Sequence, residues 1–322
     1  MDRAKVKLAA NTAAVGGEAG FLKLSMLGGL AQFGAYVDTL GPGSESSERH
    51  WHDCEDEFLY MLDGVASLHD DDGLQDLSPG DAVCWRHGDR NAHHMINRGT
   101  APCSYLIVGS RVAGDRCHYP DSGSVQVNGA TTWQVLAADG AVLRAGNLPP
   151  ELLNLPPPWG KAFDGSKVPR VQRAAGRVWV NEVELAHPVL GTGLGPYRAC
   201  VLGDAGGLSQ FGVHLECLPP GSLSSFRHWH EGEDEMVLVL SGEVMLIEDD
   251  EVPLGPGEVA CWPAGHGPGH CLENRGTSEP CYLVIGSRHD RDVIHYPDHD
   301  LVAHKNGKAR AWFHADGRLR EG

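Results

Sequence analysis

Positive charge is scarce in this chain of 322 residues. It has 26 Lys and Arg against 43 Asp and Glu, for a formal net charge of −17 and a pI near 5.4. No Lys/Arg cluster forms a basic face, which argues against nucleic acid and against an anionic membrane surface as partners. No apolar run approaches the roughly 18 residues that a membrane helix needs. The first residues, "MDRAKVKLAANTAAVGG", hold no apolar segment of the kind a secretion leader carries. Aromatic residues are also few, at 7%. The nine cysteines include no CxxC pair, and an odd number does not read as a disulfide framework. Several sit in apolar runs, where a free thiol acts as a small hydrophobe. A reducing cytoplasm is the expected setting.

Glycine (42) and proline (20) are plentiful. They separate short runs such as "FLYMLDGVASLHD", "DAVCWR" and "SYLIVG", with no convincing amphipathic helix between them. Closely spaced short strands with turn signals predict an all-β sandwich or barrel.

The chain repeats itself. "RHWHDCEDEFLYMLDG" (49–64) returns as "RHWHEGEDEMVLVLSG" (227–242), 178 residues later. "GGLAQFGAYV" (28–37) returns as "GGLSQFGVHL" (206–215), and "CHYPD" (117–121) as "IHYPD" (294–298). A period this long is a duplicated domain rather than a solenoid. The expected division is a first barrel over 1–140, a proline-rich connector over 141–170 and a second barrel over 171–322. A short helix at "PPELLNL" would suit a proline in its first turn.

Within each repeat, two histidines stand two apart, and residues i and i+2 of a strand face one side. His50 and His52, then Glu57 and His93, are the candidate ligands of the first repeat. His228, His230, Glu235 and His270 are those of the second. Three imidazoles and one carboxylate suit a divalent transition metal and leave two octahedral positions open, as catalysis requires. Glu55 and Glu233 are alternative carboxylates. The resemblance to a known family given below, whose motif has six residues between its glutamate and glycine, implies Glu57 and Glu235 rather than these. His94 should point away from the centre, and Trp51 and Trp229 should pack on the opposite face. Asn97 and Asn274 should hold turns. Leu59 with Met61, and Val237 with Val239, should share the ligand face and give each centre an apolar pocket. Tyr36 and His214, equivalent in position but different in kind, are candidate pocket residues, with Gln32 and Gln210 as shared polar groups.

These motifs resemble the cupin superfamily, in its two-cupin form. Its first motif is matched by Gly43, His50, His52, Glu57 and Gly64, and by Gly221, His228, His230, Glu235 and Gly242. Its second is matched by Gly80, Gly88, His93 and Asn97, and by Gly257, Gly265, His270 and Asn274. The motif's proline is Arg86 in the first repeat and Pro263 in the second. The resemblance implies two tandem jelly-roll barrels with a metal inside each. Iron is the first expectation, with manganese, copper, nickel or zinc as alternatives. The implied partner is a small, partly apolar or aromatic substrate. A dioxygenase-type reaction is the leading reading. A non-redox isomerase, lyase or decarboxylase comes next, and a non-catalytic binder last. Homodimerisation through sheet edges, or pairing of the two barrels with each other, would both suit such a chain.

Overall fold

The computed structural model describes residues 6–7, 20–265 and 267–320. Most of the first 19 residues lie outside them. Among the described residues no helix is long and apolar enough to cross a membrane.

The fold is all-β: two tandem jelly-roll barrels. The first has a six-stranded sheet ordered Val171–Gln172, Ala82–Trp85, Glu57–Asp63, Cys103–Ser110, Phe33–Leu40, Gly20–Lys23. The second has a seven-stranded counterpart ordered Val6–Lys7, Glu258–Trp262, Glu235–Ser241, Cys281–Ser287, Phe211–Cys217, Tyr197–Val201, Val180–Glu182. Smaller antiparallel sheets complete each barrel.

These large sheets are buried on both faces. Leu59 and Met61 pack into the first barrel with Leu68, Trp85 and Tyr105. Phe58 and Tyr60 point the other way, into one core shared by both barrels. Burial on both sides explains why "FLYML" and "MVLVL" read as continuous apolar runs instead of alternating ones. Phe33 and its repeat partner Phe211, both fully buried, face each other with ring centroids 6.4 Å apart. The two barrels therefore take one another as partners.

The edges are exchanged. Val6–Lys7 pairs with Glu258–Val259 of the second barrel, and Val171–Gln172 pairs with Ala82–Val83 of the first. Within the stretch expected as connector, Val142–Asn147 is a strand paired with Thr132–Leu136, and Pro150–Leu152 is a short 3-10 helix. Arg86, at the motif's proline position, holds this stretch through Asp164, Ser166 and the Ala162 carbonyl.

The expectation of free cysteines needs one correction. Cys217 and Cys281 form a disulfide. They stand directly opposite on neighbouring strands, with Cα atoms 4.1 Å apart, a cross-strand pairing that spacing along the chain does not reveal. Seven others are free.

Candidate metal centres

The second histidine of each HxH pair lies on a two-residue strand, Trp51–His52 or Trp229–His230. The preceding histidine forms an isolated bridge to the third one. The His50 N–H donates to the His93 carbonyl at 3.1 Å, and the His50 carbonyl accepts the His93 N–H at 2.9 Å. His228 and His270 repeat this at 3.2 and 3.0 Å. The next strand begins at the glutamate. A turn glycine ends it at Gly64 (φ 70°) and at Gly242 (φ 72°). A Cβ at Gly64 would come within 2.8 Å of the Pro102 carbonyl, so only glycine suits this turn.

Four side chains then converge in each barrel. In the first, Glu57 Oε2 lies 3.1 Å from His93 Nε2, while Glu57 Oε1 lies 4.0 Å from His50 Nε2 and 3.9 Å from His52 Nε2. In the second, Glu235 Oε2 lies 3.1 Å from His270 Nε2 and 3.9 Å from His230 Nε2. The His50 and His93 rings, like the His228 and His270 rings, are 5.2 Å apart at 40°. Glu55 and Glu233 stand instead on the Nδ1 side of His52 and His230.

The far side of each imidazole in the two HxH pairs is tied down. His50 Nδ1 meets the Glu48 carbonyl at 2.9 Å, and His228 Nδ1 meets that of Phe226 at 3.0 Å. His52 Nδ1 meets Asp115 at 2.6 Å, and His230 Nδ1 meets Asp292 at 2.6 Å. Those aspartates are buried and also accept the N–H of Cys54 and of Gly232. This fixes which nitrogen faces the centre, as carboxylate partners of metal-bound histidines do. Trp85 stacks on His93 at 3.8 Å and Trp262 on His270 at 3.7 Å.

Electrostatics matches this construction. Burial lowers His50 to about 4 and His228 to about 3, so both are neutral donors at pH 7. Burial also opposes charge on His52, but Asp115, Cys117 and Glu57 outweigh it and raise its pKa well above normal. Glu57 is held far below the usual carboxylate range, because the surrounding histidines overcome the effect of burial. Neutral His50 and His228 and the ionised glutamates are donor forms that a divalent cation needs, whereas His52 and His230 would have to give up the proton that their carboxylate neighbours favour. His50, Glu57 and His93, and likewise His228, Glu235 and His270, place donor atoms within 4.8 Å of one another and could hold such an ion.

The other expected residues fall as follows. His94 turns away, toward His69 and the Ser47 carbonyl. Trp51 stacks on His118 and Trp229 on His295. Asn97 closes its turn through Leu40, Ala101 and Gly99, and Asn274 does so through Leu218, Ser278 and Gly276. Gln32 and Gln210 are not pocket groups. They sit at the seam between the barrels, where Gln32 Nε2 donates to the Gly232 carbonyl and Gln210 Nε2 to that of Cys54. Leu59 and Met61 are sealed in the core rather than lining a cavity.

The two centres differ in what surrounds them. A cavity of about 470 Å³ reaches His52 and Glu57. Its walls include Tyr36, Ile107, Arg111, Gln126 and Asn128, and the former connector adds Leu148, Leu152 and Leu155. The second centre has a cavity of about 160 Å³, bounded by Val237, Trp262 and Tyr282. His214 does not line it but lies 3.6 Å from Glu216. Lys305 pairs with Glu233 at 2.5 Å in the second barrel. Asn128 stands at the matching place in the first, donating to the Asp115 carbonyl, and leaves that side open. Cys117 lies near His50 and His52, where the second repeat has Ile294.

The fold and site define a protein of two jelly-roll barrels, each with a histidine–glutamate cluster able to hold a metal. Residues 36–109 and 214–286 match the cupin domain family. The chain belongs to the cupin superfamily, as a two-cupin protein. Among solved structures, a sugar phosphate isomerase of Silicibacter pomeroyi is 36% identical over 44% of this chain and 92% of its own, with a TM-score of 0.42. A putative sugar phosphate isomerase of Acidithiobacillus ferrooxidans is 35% identical over 43% of this chain and 88% of its own, with a TM-score of 0.39. A variant of oxalate decarboxylase from Bacillus subtilis is 16% identical over 91% of this chain and 79% of its own; its TM-score of 0.51 is a likeness of fold. No curated protein matches.

Proposed function

We propose that this chain is a metal-dependent enzyme acting on a small organic molecule, with the first barrel's centre as the working site. One divalent transition metal per barrel would be held by His50, His52, Glu57 and His93, and by His228, His230, Glu235 and His270. The carrying observation is the cavity of about 470 Å³ that reaches His52 and Glu57. A bound metal would polarise substrate oxygens and, as iron, copper, nickel or manganese, could also engage dioxygen.

The chain's own residues do the rest. Asp115 orients His52. Ile107, Leu148, Leu152 and Leu155 form an apolar wall that sheds water and suits a partly apolar or aromatic substrate. Three imidazoles and a carboxylate would leave an octahedral ion incompletely coordinated, which supports a dioxygenase-type reaction with iron as the first metal to test. The second reading, a non-redox isomerase, lyase or decarboxylase, draws on Arg111 and Asn128 in the same wall, which suit a hydroxy-carbonyl or carboxylate substrate.

Apart from the exchanged strands Val6–Lys7 and Val171–Gln172, residues 1–140 and 171–322 would supply the two barrels, with 141–170 joining them and walling the first cavity. It also takes the cytoplasm as the setting. The working unit is one chain, and a homodimer is not needed to complete either centre.

The test is oxygen consumption by iron-loaded protein with enols, catechols and diketones, beside anaerobic turnover of hydroxy-carbonyl compounds. His50→Ala with His52→Ala should abolish turnover, and His228→Ala with His230→Ala should leave it. Turnover that depends only on the second pair would overturn the assignment.

A further inference from the structure

Arg111 lies on the wall of the first cavity, yet it is only 3% exposed. Among the described residues its guanidinium meets only neutral acceptors. Nη1 donates to the Leu30 carbonyl at 2.9 Å, and Nη2 donates to Ser25 Oγ at 3.2 Å and to Tyr36 Oη at 3.1 Å. Its Nε is buried with no partner. A guanidinium has five N–H donors, so the hydrogen bonds found leave donors spare. A buried charge is costly unless something of opposite sign meets it.

The carboxylates on the same wall are engaged elsewhere. Asp115 is bound to His52 and the Cys54 N–H, Glu57 to His93, and Glu55 to the Val112 N–H. The repeat provides an internal comparison. Arg288, the counterpart of Arg111, is ion-paired with Asp204 and does not line the second cavity. The second barrel has satisfied its arginine, while the first has left one uncompensated beside its larger cavity.

We propose that Arg111 binds an oxyanion group, carboxylate or phosphate, on the molecule that occupies the first cavity. This rests on the reading that this cavity is the substrate site, and it narrows the substrate to an anion. An oxyanion that takes the place of Tyr36 Oη at Nη2 would meet Nε–H and Nη2–H as a planar fork, with two parallel hydrogen bonds. The apolar residues of the same cavity, with Leu148, Leu152 and Leu155, would receive the uncharged part of the molecule.

Calorimetric titration of metal-free protein with inorganic phosphate and with malonate tests this. Removing the metal leaves Arg111 as the anion's receptor. The expected result is saturable binding of one of the two anions at one per chain, and the one that binds distinguishes phosphate from carboxylate. Arg111→Gln should weaken it about tenfold or more, the loss expected for charge-assisted hydrogen bonds. If Arg111→Gln fails to fold, Arg111→Lys keeps the charge without the fork and should weaken binding several-fold. Unchanged affinity in a folded Arg111 variant, or no saturable binding of either anion to the wild type, would overturn the proposal. Anion binding that persists in a protein with no turnover would defeat the enzymatic reading alone.

Discussion

The Asp56 carboxylate, in the first barrel, accepts the backbone N–H of Gln210, in the second, at 2.9 Å. The reverse contact exists one repeat later, where Asp234 accepts the N–H of Gln32 at 2.8 Å. Asp56 also accepts from Ser209 N and from the backbone and ring of His87, and Asp234 from Ala31 N and Ala264 N. Both aspartates are buried. The duplication has thus produced an internal dimer whose halves grip each other twice. Asp56→Ala strands several buried N–H groups and should cost roughly 2–4 kcal/mol. A lowered urea midpoint is the reading. A change within about 0.5 kcal/mol would show that the seam holds without this carboxylate.

A second prediction concerns close approach. A Cβ on Gly206 would fall 2.2 Å from Cys84 Sγ, and one on Gly28 would fall 2.4 Å from Cys261 Sγ. Cys84 is buried in the shared core. Gly206→Ala should therefore destabilise by about 1–3 kcal/mol through overpacking. Pairing it with Cys84→Ala should recover part of that loss in thermal denaturation.

Acid stability should depend on Asp81. Its carboxylate accepts the Ala174 N–H at 2.8 Å and pairs with Arg173 at 2.8 Å, clamping the exchanged strand to the first barrel. Burial pushes its pKa up, but these partners and the Ser78 N–H outweigh that and lower it. A folded value below the unfolded one gives stability that is present above the ordinary carboxylate range and lost as pH falls through the folded value. Asp81→Asn should flatten that part of the stability–pH curve. An identical acid limb in both proteins would contradict the clamp.

Asp115 and Asp292 should act on one metal each. Replacing either by Asn keeps its shape but removes the charge that orients His52 or His230. Metal affinity at that barrel alone should fall about 10- to 100-fold. Competitive chelator titration would detect this, and equal loss at both barrels would show that the centres are coupled.

The sequence revealed the duplication and the ligand candidates because both depend on local spacing. His50 and His52 share a face by strand periodicity, and the repeat doubles the signal. Asp115 and Trp85 escaped notice because they reach the centre from other strands, with no spacing rule linking them to it. The echo of "DRC" in "RDVI", which aligns Asp115 with Asp292, was the available signal. Gln32 and Gln210 were misjudged for another reason. When a sheet is buried on both faces, periodicity of two cannot tell the barrel interior from the seam. The exchanged strands Val6–Lys7 and Val171–Gln172 are two residues long, too short for any pattern.

The central claim is that each barrel builds its own metal centre from its own three histidines and glutamate. Metal per chain, measured by elemental mass spectrometry on protein purified without chelator, tests it most directly. The wild type should carry two ions. His50→Ala with His52→Ala should carry one, and His228→Ala with His230→Ala should carry one. A wild type that binds none even after reconstitution, or a variant that loses both, would contradict it.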